Sequence, residues 1–205
     1  KNNRNTAYFS SGHGEKSPFD LDAQNGLSAF SEILQDMNIK GATIDLSLTK
    51  RVPDDALMLV IGGPKGTFQE QEVASIQSFL NRRGGKLILA IDPVEELSVL
   101  DRPAFGLRSI LKEWGIRCHD MLIYDAGPEN YDIFTGSYIL RTYLEKDNHE
   151  IIKQHTKLGL SIQSDRCRPV ETLKNSISNS TTNEILFTSQ NALGLSGWTQ
   201  RKFPP

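Results

Sequence analysis

Apolar positions in the first two thirds of the chain change repeatedly between a strand-like and a helix-like pattern. Residues 57–61 and 87–91 are continuous apolar runs, which are typical of strands buried on both faces of a parallel sheet. Residues 6–10 and 121–124 are also β-rich, and Ile44, Leu46 and Leu48 alternate with polar residues. Helical spacing of apolar residues separates these runs, as in the stripe formed by Leu27, Phe30, Leu34 and Met37.

The signals at the ends of these segments support the same interpretation. Thr67 with Glu70 three residues later predicts a helix start with a capping box, and Gly84–Gly85 predicts its end. Strands that alternate with helices and are joined by short Gly/Pro turns require right-handed crossovers. The sequence therefore predicts an α/β fold with a doubly wound parallel sheet.

The last third of the chain has a different pattern. It contains short β-like runs at 138–144, 160–162 and 185–188, and a Ser/Thr/Asn-rich stretch at 175–183 that predicts a solvated loop. We predict a single domain over residues 1–205, in which a parallel α/β core at 1–125 carries a β-rich extension at 126–205 on the same sheet.

Composition excludes several classes of protein. Of 205 residues, 38% are apolar and 23% charged, which is enough to form a core and excludes a disordered or collagen-like chain. The net charge is −2, from 23 basic and 25 acidic residues, so nucleic acid is not an expected partner. No apolar run approaches the roughly 20 residues of a membrane helix. The chain begins at Lys1 and ends at Pro205, and we interpret it as a piece of a longer protein.

Candidate chemistry lies where the predicted strands end, because ligands of open parallel sheets bind at the carboxyl ends of the strands. The residues placed there are His13, Glu15, Gly62, Gly63, Lys65, Asp92 and Asp125. Each also has a purely structural interpretation. The glycines around His13 can form a tight turn, Gly62 and Gly63 can precede a helix without binding an anion, and Asp92–Pro93 is a common end of a strand.

A catalytic nucleophile and a metal site are both missing from the pattern. The chain has no G-x-S-x-G motif, and its four histidines are not spaced as metal ligands. We therefore predict no catalytic residues, no metal and no cofactor. Cys118 and Cys167 are free thiols or one long-range disulfide, and the sequence leaves both open.

Several of these segments resemble the ABC-type transport auxiliary family, which includes the accessory subunit of the gliding-motility ABC transporter. The similarity is carried by residues 8–15 (Tyr-Phe-Ser-Ser-Gly-His-Gly-Glu), 44–47 (Ile-Asp-Leu-Ser), 52–65 and 111–116 (Leu-Lys-Glu-Trp-Gly-Ile). It continues at Gly84–Gly85 and Asp92–Pro93 and spans about Tyr8 to Asp125.

The resemblance implies a flavodoxin-like fold similar to class I glutamine amidotransferases. Those enzymes carry a cysteine after a buried central strand, where this chain has Asp92. A carboxylate cannot replace a thiolate as the nucleophile for a glutamine amide. We therefore expect a non-catalytic binding or scaffolding domain of an ABC-transporter accessory protein, with the permease and ATPase subunits as partners and a small ligand or glycan as a further one.

The resemblance also implies a location and leaves an alternative. The domain is expected in the periplasm, or otherwise on the extracytoplasmic face of a bacterial membrane, anchored by helices outside this chain. The alternative is a hydrolase acting on a glycan, peptide or ester, with Asp92, or His13 and Glu15, as the base.

Overall fold

The computed structural model describes residues 5–22, 25–82, 84–93, 104–132, 137–138, 140–144, 149–153, 157–158, 162–164, 166–173 and 181–196. The chain divides into two compact units. The first consists of Lys1–Ile91 with Ala104–Ile110, and the second of Asp92–Pro103 with Leu111–Pro205.

The first unit is built on a parallel sheet of four strands. These are β1 (Thr6–Ser11), β2 (Lys40–Asp45), β3 (Ala56–Gly62) and β4 (Leu87–Ala90), in the order β2-β1-β3-β4. All three pairings are parallel. The predicted α/β class with a parallel sheet is therefore confirmed for this unit.

One face of the sheet is covered by helix α1 (Ser28–Asp36). Alternate side chains of β1 and β3 point to this face, and Ala7, Phe9 and Val60 form a buried cluster there with Leu34 of the helix. The ring of Phe9 meets Phe30 edge-on at a centroid distance of 6.1 Å. This apolar stripe is the one that the helical spacing predicts.

The other face of the sheet is covered by helix α3 (Glu70–Leu80), which connects β3 to β4. The connection from β1 through α1 leads to β2 on one side of β1, and the connection from β3 through α3 leads to β4 on the other side of the sheet. Because both connections are right-handed, α1 and α3 lie on opposite faces of the sheet. Ile76 and Phe79 of α3 are fully buried, as are Leu59 and Ile61 on the β3 face away from α1. Both faces of β3 are thus covered, which explains its continuous apolar run.

Two local predictions were wrong. The strand predicted to extend through Leu46 and Leu48 ends at Asp45, because the Asp45 carboxylate accepts the Ser47 N–H and caps the short helix α2 (Leu46–Thr49). Helix α3 begins at Glu70, with Gln69 rather than Thr67 as its N-cap, because the Phe68 N–H is bound to the Phe105 carbonyl and residues before Gln69 are held outside the helix.

Helix α4 (Arg108–Glu113) leads into the second unit, whose described strands are short. They are β5 (Ile116–Cys118), β6 (Leu122–Asp125), β7 (Tyr131–Asp132), β8 (Ser137–Tyr138), β9 (Leu140–Leu144), β10 (Ile162–Ser164), β11 (Val170–Thr172), β12 (Leu186–Phe187) and β13 (Ala192–Leu195). Their pairings are antiparallel: β5 with β11, β6 with β13, β7 with β8, and β9 with both β10 and β12.

The late part of the chain is β-rich, as its sequence indicates, although most of the predicted 175–183 loop lies outside the described residues. Where the structure describes them, β5 and β6 hydrogen-bond to β11 and β13, and neither belongs to the four-stranded sheet. That residues 126–205 form an extension on the same sheet as the core stays a prediction. Cys118 and Cys167 are both free thiols.

Candidate functional site

The strand order predicts a crevice between the carboxyl ends of β1 and β3. In a β2-β1-β3-β4 sheet the segments that follow β1 and β3 leave toward opposite faces, and a crevice forms at the carboxyl ends of these two strands. Residues 12–16 follow β1, and residues 62–66 comprise the last residue of β3 and the segment after it. We call the space between these two segments the β1–β3 crevice. Five of the predicted site residues lie here: His13, Glu15, Gly62, Gly63 and Lys65.

Backbone hydrogen bonds join the two segments directly. The carbonyl oxygen of His13 accepts the N–H groups of Lys65 and Gly66, each at 2.8 Å. The Gly62 carbonyl in turn accepts the Lys16 N–H at 2.8 Å. Three bonds therefore cross the mouth of the crevice from one segment to the other.

Gly14 is required by its backbone conformation, whereas Gly62 is favoured by close packing, since a Cβ there would displace the flexible end of Leu27. Gly14 has φ +77°, and a Cβ there would meet the Cβ of Lys65 at 3.2 Å. Gly62 faces α1, where a Cβ would approach Leu27 Cδ1 to 2.8 Å. Neither position needs a bound anion to explain its glycine, so the structural interpretation accounts for this part of the motif.

The imidazole of His13 fills the crevice. Its Nε2 lies 3.1 Å from Glu72 Oε2, and its Nδ1 lies 3.7 Å from Glu15 Oε1. The ring stacks on Phe68 with a centroid distance of 4.2 Å and an interplanar angle of 24°. Only 11% of the His13 side chain is exposed, and the carboxyl groups of Glu15 and Glu72 are buried.

Each carboxylate is also held by a backbone N–H. Glu15 Oε2 accepts the N–H of His13 at 2.7 Å, which closes the glycine turn on itself. Glu72 Oε2 accepts the N–H of Gln69 at 2.8 Å, and this is the capping bond of α3. The imidazole is thus fixed between the end of β1 and the first turn of α3.

Glu72 is the residue that sequence reasoning missed. It lies at the third position of α3, where a carboxylate commonly bonds back to the N-cap, but the pattern Thr67-x-x-Glu70 placed this capping box two residues too early. The spacing Gln69-x-x-Glu72 is the signal that would have found it.

This arrangement limits the chemistry available to His13. A general base needs a free ring nitrogen within hydrogen-bond reach of its substrate. Nε2 of His13 lies against Glu72 Oε2, whereas Nδ1, at 3.7 Å from Glu15 Oε1, is buried without a hydrogen-bond partner among the described residues. The His13–Glu15–Glu72 cluster therefore joins the segment after β1 to the first turn of α3, and the 11% exposure of the His13 side chain leaves its ring little accessible to a substrate.

Asp45, at the end of β2, lies beside the same turn. A Cβ on Gly12 would lie 3.1 Å from both carboxylate oxygens of Asp45. The hydrogen bond from the Ser47 hydroxyl lowers the pKa of Asp45, and the nearby His13 charge acts in the same direction. A carboxylate that was not among the predicted site residues thus lies next to the crevice.

The other two predicted residues, Asp92 and Asp125, belong to the second unit. Asp92 is exposed, and its carbonyl oxygen lies 3.5 Å from Arg168 Nη1. Asp125 is 3% exposed, and its Oδ1 accepts the Gly127 N–H at 3.1 Å. Burial raises the pKa of Asp125, but hydrogen bonds from Ser189, Gly127 and Asn130 outweigh it and hold the pKa below its usual value. The Asp125 carboxylate therefore anchors its own turn.

The two free thiols have different surroundings. Burial raises the pKa of Cys118, and this effect outweighs the opposing influence of Arg168. Cys167 Sγ lies 2.9 Å from the hydroxyl of Ser164. Within the described part of the chain, no group of three or more His, Cys, Asp or Glu side chains has the geometry of a metal site.

Comparison with known proteins identifies the family. A family model described as "ABC-type uncharacterized transport system" matches residues 4–148, about two thirds of the chain. The chain belongs to this ABC-type transport family. The resemblance drawn from residues 8–125 is therefore confirmed. Membership indicates an auxiliary domain of an ABC-type transport system, and this context suggests membrane transporter proteins as partners.

A solved structure extends the comparison for this ABC-type transport domain. The mmIFT52 N-terminal domain superposes with a TM-score of 0.62 over 93% of this chain and 75% of that chain, at 14% sequence identity. This likeness shows a shared fold. No curated protein matches the sequence. Among the described residues, no helix is both long and apolar enough to cross a bilayer.

Proposed function

We propose that this chain is a non-catalytic binding or scaffolding domain of an accessory membrane protein, acting with the permease and ATPase subunits of an ABC-type transporter related to gliding-motility systems. It is placed on the extracytoplasmic face of a bacterial membrane and is anchored there by segments outside residues 1–205. Its scaffold is of the flavodoxin-like and amidotransferase-like kind. The family match supports a role in an ABC-type transport system. The non-catalytic binding role is argued below from the geometry of the site.

The non-catalytic assignment depends on which groups occupy the β1–β3 crevice. Doubly wound sheets bind their ligands at this position. Here it contains a stacked imidazole, two buried carboxylates and three backbone hydrogen bonds between the walls. These side chains contact one another, and the 11% exposure of the His13 side chain gives a substrate little access to them, although His13 Nδ1, Glu15 Oε1 and Glu72 Oε1 have no hydrogen-bond partner within the part of the chain that the structure describes.

The sheet order supports the scaffold assignment. Flavodoxin-like sheets have the order 2-1-3-4-5, and the four strands observed here follow the same order as far as β4. The position that holds the amidotransferase cysteine corresponds in the resemblance to Asp92, an exposed residue. A carboxylate at this position agrees with a domain that binds without glutamine hydrolysis.

The surface around the crevice is the proposed docking surface for the partner subunits. Lys65 is exposed there, and its first methylene groups lie against Gly14. His13 is unsuitable as a probe of docking, because its replacement by alanine would leave Glu15 and Glu72 buried without their common partner. That change would lower stability whether or not the surface binds anything.

The experiment compares two charge reversals in the full-length parent protein. Lys65→Glu lies at the crevice, and Lys86→Glu lies just before β4, at the opposite end of the sheet, and is equally exposed. Solubilised membranes carrying each variant are used to measure how much transporter permease and ATPase copurifies. We expect Lys65→Glu to reduce copurification about tenfold, equivalent to ~1.4 kcal/mol, and Lys86→Glu to leave it unchanged.

Three results would contradict parts of this proposal. Normal copurification with Lys65→Glu would exclude this surface as the docking site. Protection of the domain from protease in spheroplasts, with cleavage only after lysis, would contradict the extracytoplasmic location. Hydrolysis of an ester, peptide or glycoside by the purified chain, abolished by Asp92→Asn, would contradict the non-catalytic assignment.

A further inference from the structure

The second unit contains a cavity of about 450 Å³ that the proposal above does not use. This volume lies within the roughly 300–1,000 Å³ typical of small-molecule sites. Its lining combines an aromatic ring and an aliphatic side chain with a carboxylate, an amide, hydroxyls and an imidazole. None of these residues belongs to the crevice of the first unit.

The polar groups of the cavity are held in place by the surrounding chain. The Thr172 hydroxyl donates to Glu184 Oε1 at 2.8 Å, which orients the carboxylate. The Thr182 hydroxyl donates to the Trp114 carbonyl at 3.2 Å and fixes the neighbouring backbone. Asn183, between the two, is exposed and lies at the rim with its amide available as donor and acceptor.

The imidazole of His149 is oriented by a turn of its own. The His149 carbonyl accepts the N–H groups of Ile152 and Lys153, each at 3.0 Å, and Nδ1 faces the Ile151 N–H at 3.4 Å. A ring that accepts at Nδ1 carries its proton on Nε2, so it can donate one hydrogen bond to a ligand. His149 and Glu184 both line the cavity, which gives the site both donors and acceptors.

The apolar part of the lining consists of Ile152, which is 4% exposed, and Phe187 of β12, which is half-buried. The face of an aromatic ring can pack against the C–H groups on one side of a sugar ring. Among the described residues that line the cavity there is no Lys or Arg, and one, Glu184, is acidic. Glu184 disfavours an anionic ligand and can accept hydrogen bonds from hydroxyl groups, so the described lining is suited to an uncharged molecule rich in hydroxyls.

We propose that this cavity binds an uncharged sugar, with Phe187 against the face of the pyranose ring and with Glu184, Asn183 and His149 bonding its hydroxyls. The proposal is independent of the assigned role of the β1–β3 crevice, because it concerns residues of the other unit. Loss of transporter copurification and loss of sugar binding are therefore separate outcomes.

The test is titration of the full 205-residue chain with glucose, N-acetylglucosamine and maltose, followed by saturation-transfer NMR and calorimetry. Glucuronate serves as the charged comparator. We expect at least one neutral sugar to bind with a dissociation constant of about 1 mM or tighter, and glucuronate to bind about tenfold more weakly than glucose.

Variants then assign the binding to this cavity. Glu184→Gln keeps an oxygen to accept the Thr172 bond, and Asn183→Ala alters an exposed residue, so neither is expected to unfold the chain. Each should weaken sugar binding about tenfold, whereas Glu150→Gln, a change at an 84% exposed carboxylate outside the cavity, should not. The proposal is overturned if none of the three neutral sugars binds, if binding is unchanged in both cavity variants, or if glucuronate binds as tightly as glucose.

Discussion

The two units of this chain are stabilised by different kinds of contact. In the first, large apolar side chains from a four-stranded sheet and two helices are fully buried, as Phe9, Leu59, Ile76 and Phe79 illustrate. In the second, the described buried side chains include only two large apolar ones, Leu122 and Ile152, alongside three polar ones. The comparison shows that strands of two to five residues place few of their described side chains in a core, and that polar anchors then fix the turns between them.

Arg168 is the clearest of these anchors. It is 6% exposed, its Nε donates to the His119 carbonyl at 2.9 Å, and its Nη2 lies 3.3 Å from Asp120 Oδ1. A guanidinium can bond several acceptors in one plane, so a single buried arginine can hold segments that are far apart in sequence. Asp125 has a similar role for the turn that follows β6.

The largest effect should follow from opening the apolar core of the first unit. Phe9→Ala removes a 1% exposed ring that contacts Phe30, and truncation of a buried Phe costs about 3–5 kcal/mol. Urea unfolding should show this loss, whereas Phe19→Ala, at a 64% exposed position, should change the free energy of unfolding by less than about 0.5 kcal/mol. Equal losses in the two variants would contradict the placement of Phe9 in the core.

A smaller effect is expected when the main anchor of the second unit is removed. Arg168→Met keeps the aliphatic volume but leaves the His119 carbonyl and Asp120 without this donor, at a cost of about 2–3 kcal/mol. Arg166→Met, at an exposed position two residues earlier, is the matched control and should cost less than about 0.5 kcal/mol. If Arg168→Met unfolds at the wild-type urea concentration, polar anchoring does not account for the stability of this unit.

The smallest effect, and the most specific, concerns pH. The pKa of Asp125 is lower in the folded chain than in the unfolded chain, so its contribution is fully present above the unfolded value of about 3.9 and is lost as pH falls through the folded value. We expect Asp125→Asn to cost about 1–2 kcal/mol near pH 7. The difference from wild type should shrink as pH falls below about 4.

Thermal unfolding between about pH 7 and pH 3 would measure this change. Asp54→Asn, at a 63% exposed carboxylate, provides the control for a general loss of surface charge. A difference between Asp125→Asn and wild type that stays constant over the whole range would show that Asp125 is not held as the carboxylate.

The same contrast explains what the sequence could and could not predict. The apolar runs at 57–61 and 87–91 and the stripe from Leu27 to Leu34 are local patterns, and the structure places a strand or a helix at each of them. The pairing of Leu122–Asp125 with Ala192–Leu195 joins segments about 70 residues apart. The spacing of apolar residues in one segment does not indicate which other segment it pairs with. Sequence patterns therefore predicted the first unit far better than the second.

The candidate site was predicted in part for a related reason. His13, Glu15 and Lys65 follow strands of one parallel sheet, and the carboxyl ends of such strands lie at the same edge, so their proximity could be expected. Glu72 could not be placed, because the start of α3 depends on the Phe68–Phe105 backbone bond, a contact between residues 37 positions apart. A helix start that is set by tertiary structure is invisible to a capping pattern.

The carbonyl of His13, which receives two N–H groups from the opposite wall, has a consequence for protein engineering. Any redesign that aims to admit a nucleotide or other cofactor at this end of the sheet must first break that bifurcated bridge and re-accommodate two acidic residues. Enlarging the opening by a single truncation would leave the bridge in place. A converted binding protein would require coordinated replacement of the histidine, its stacking partner and at least one of the acids.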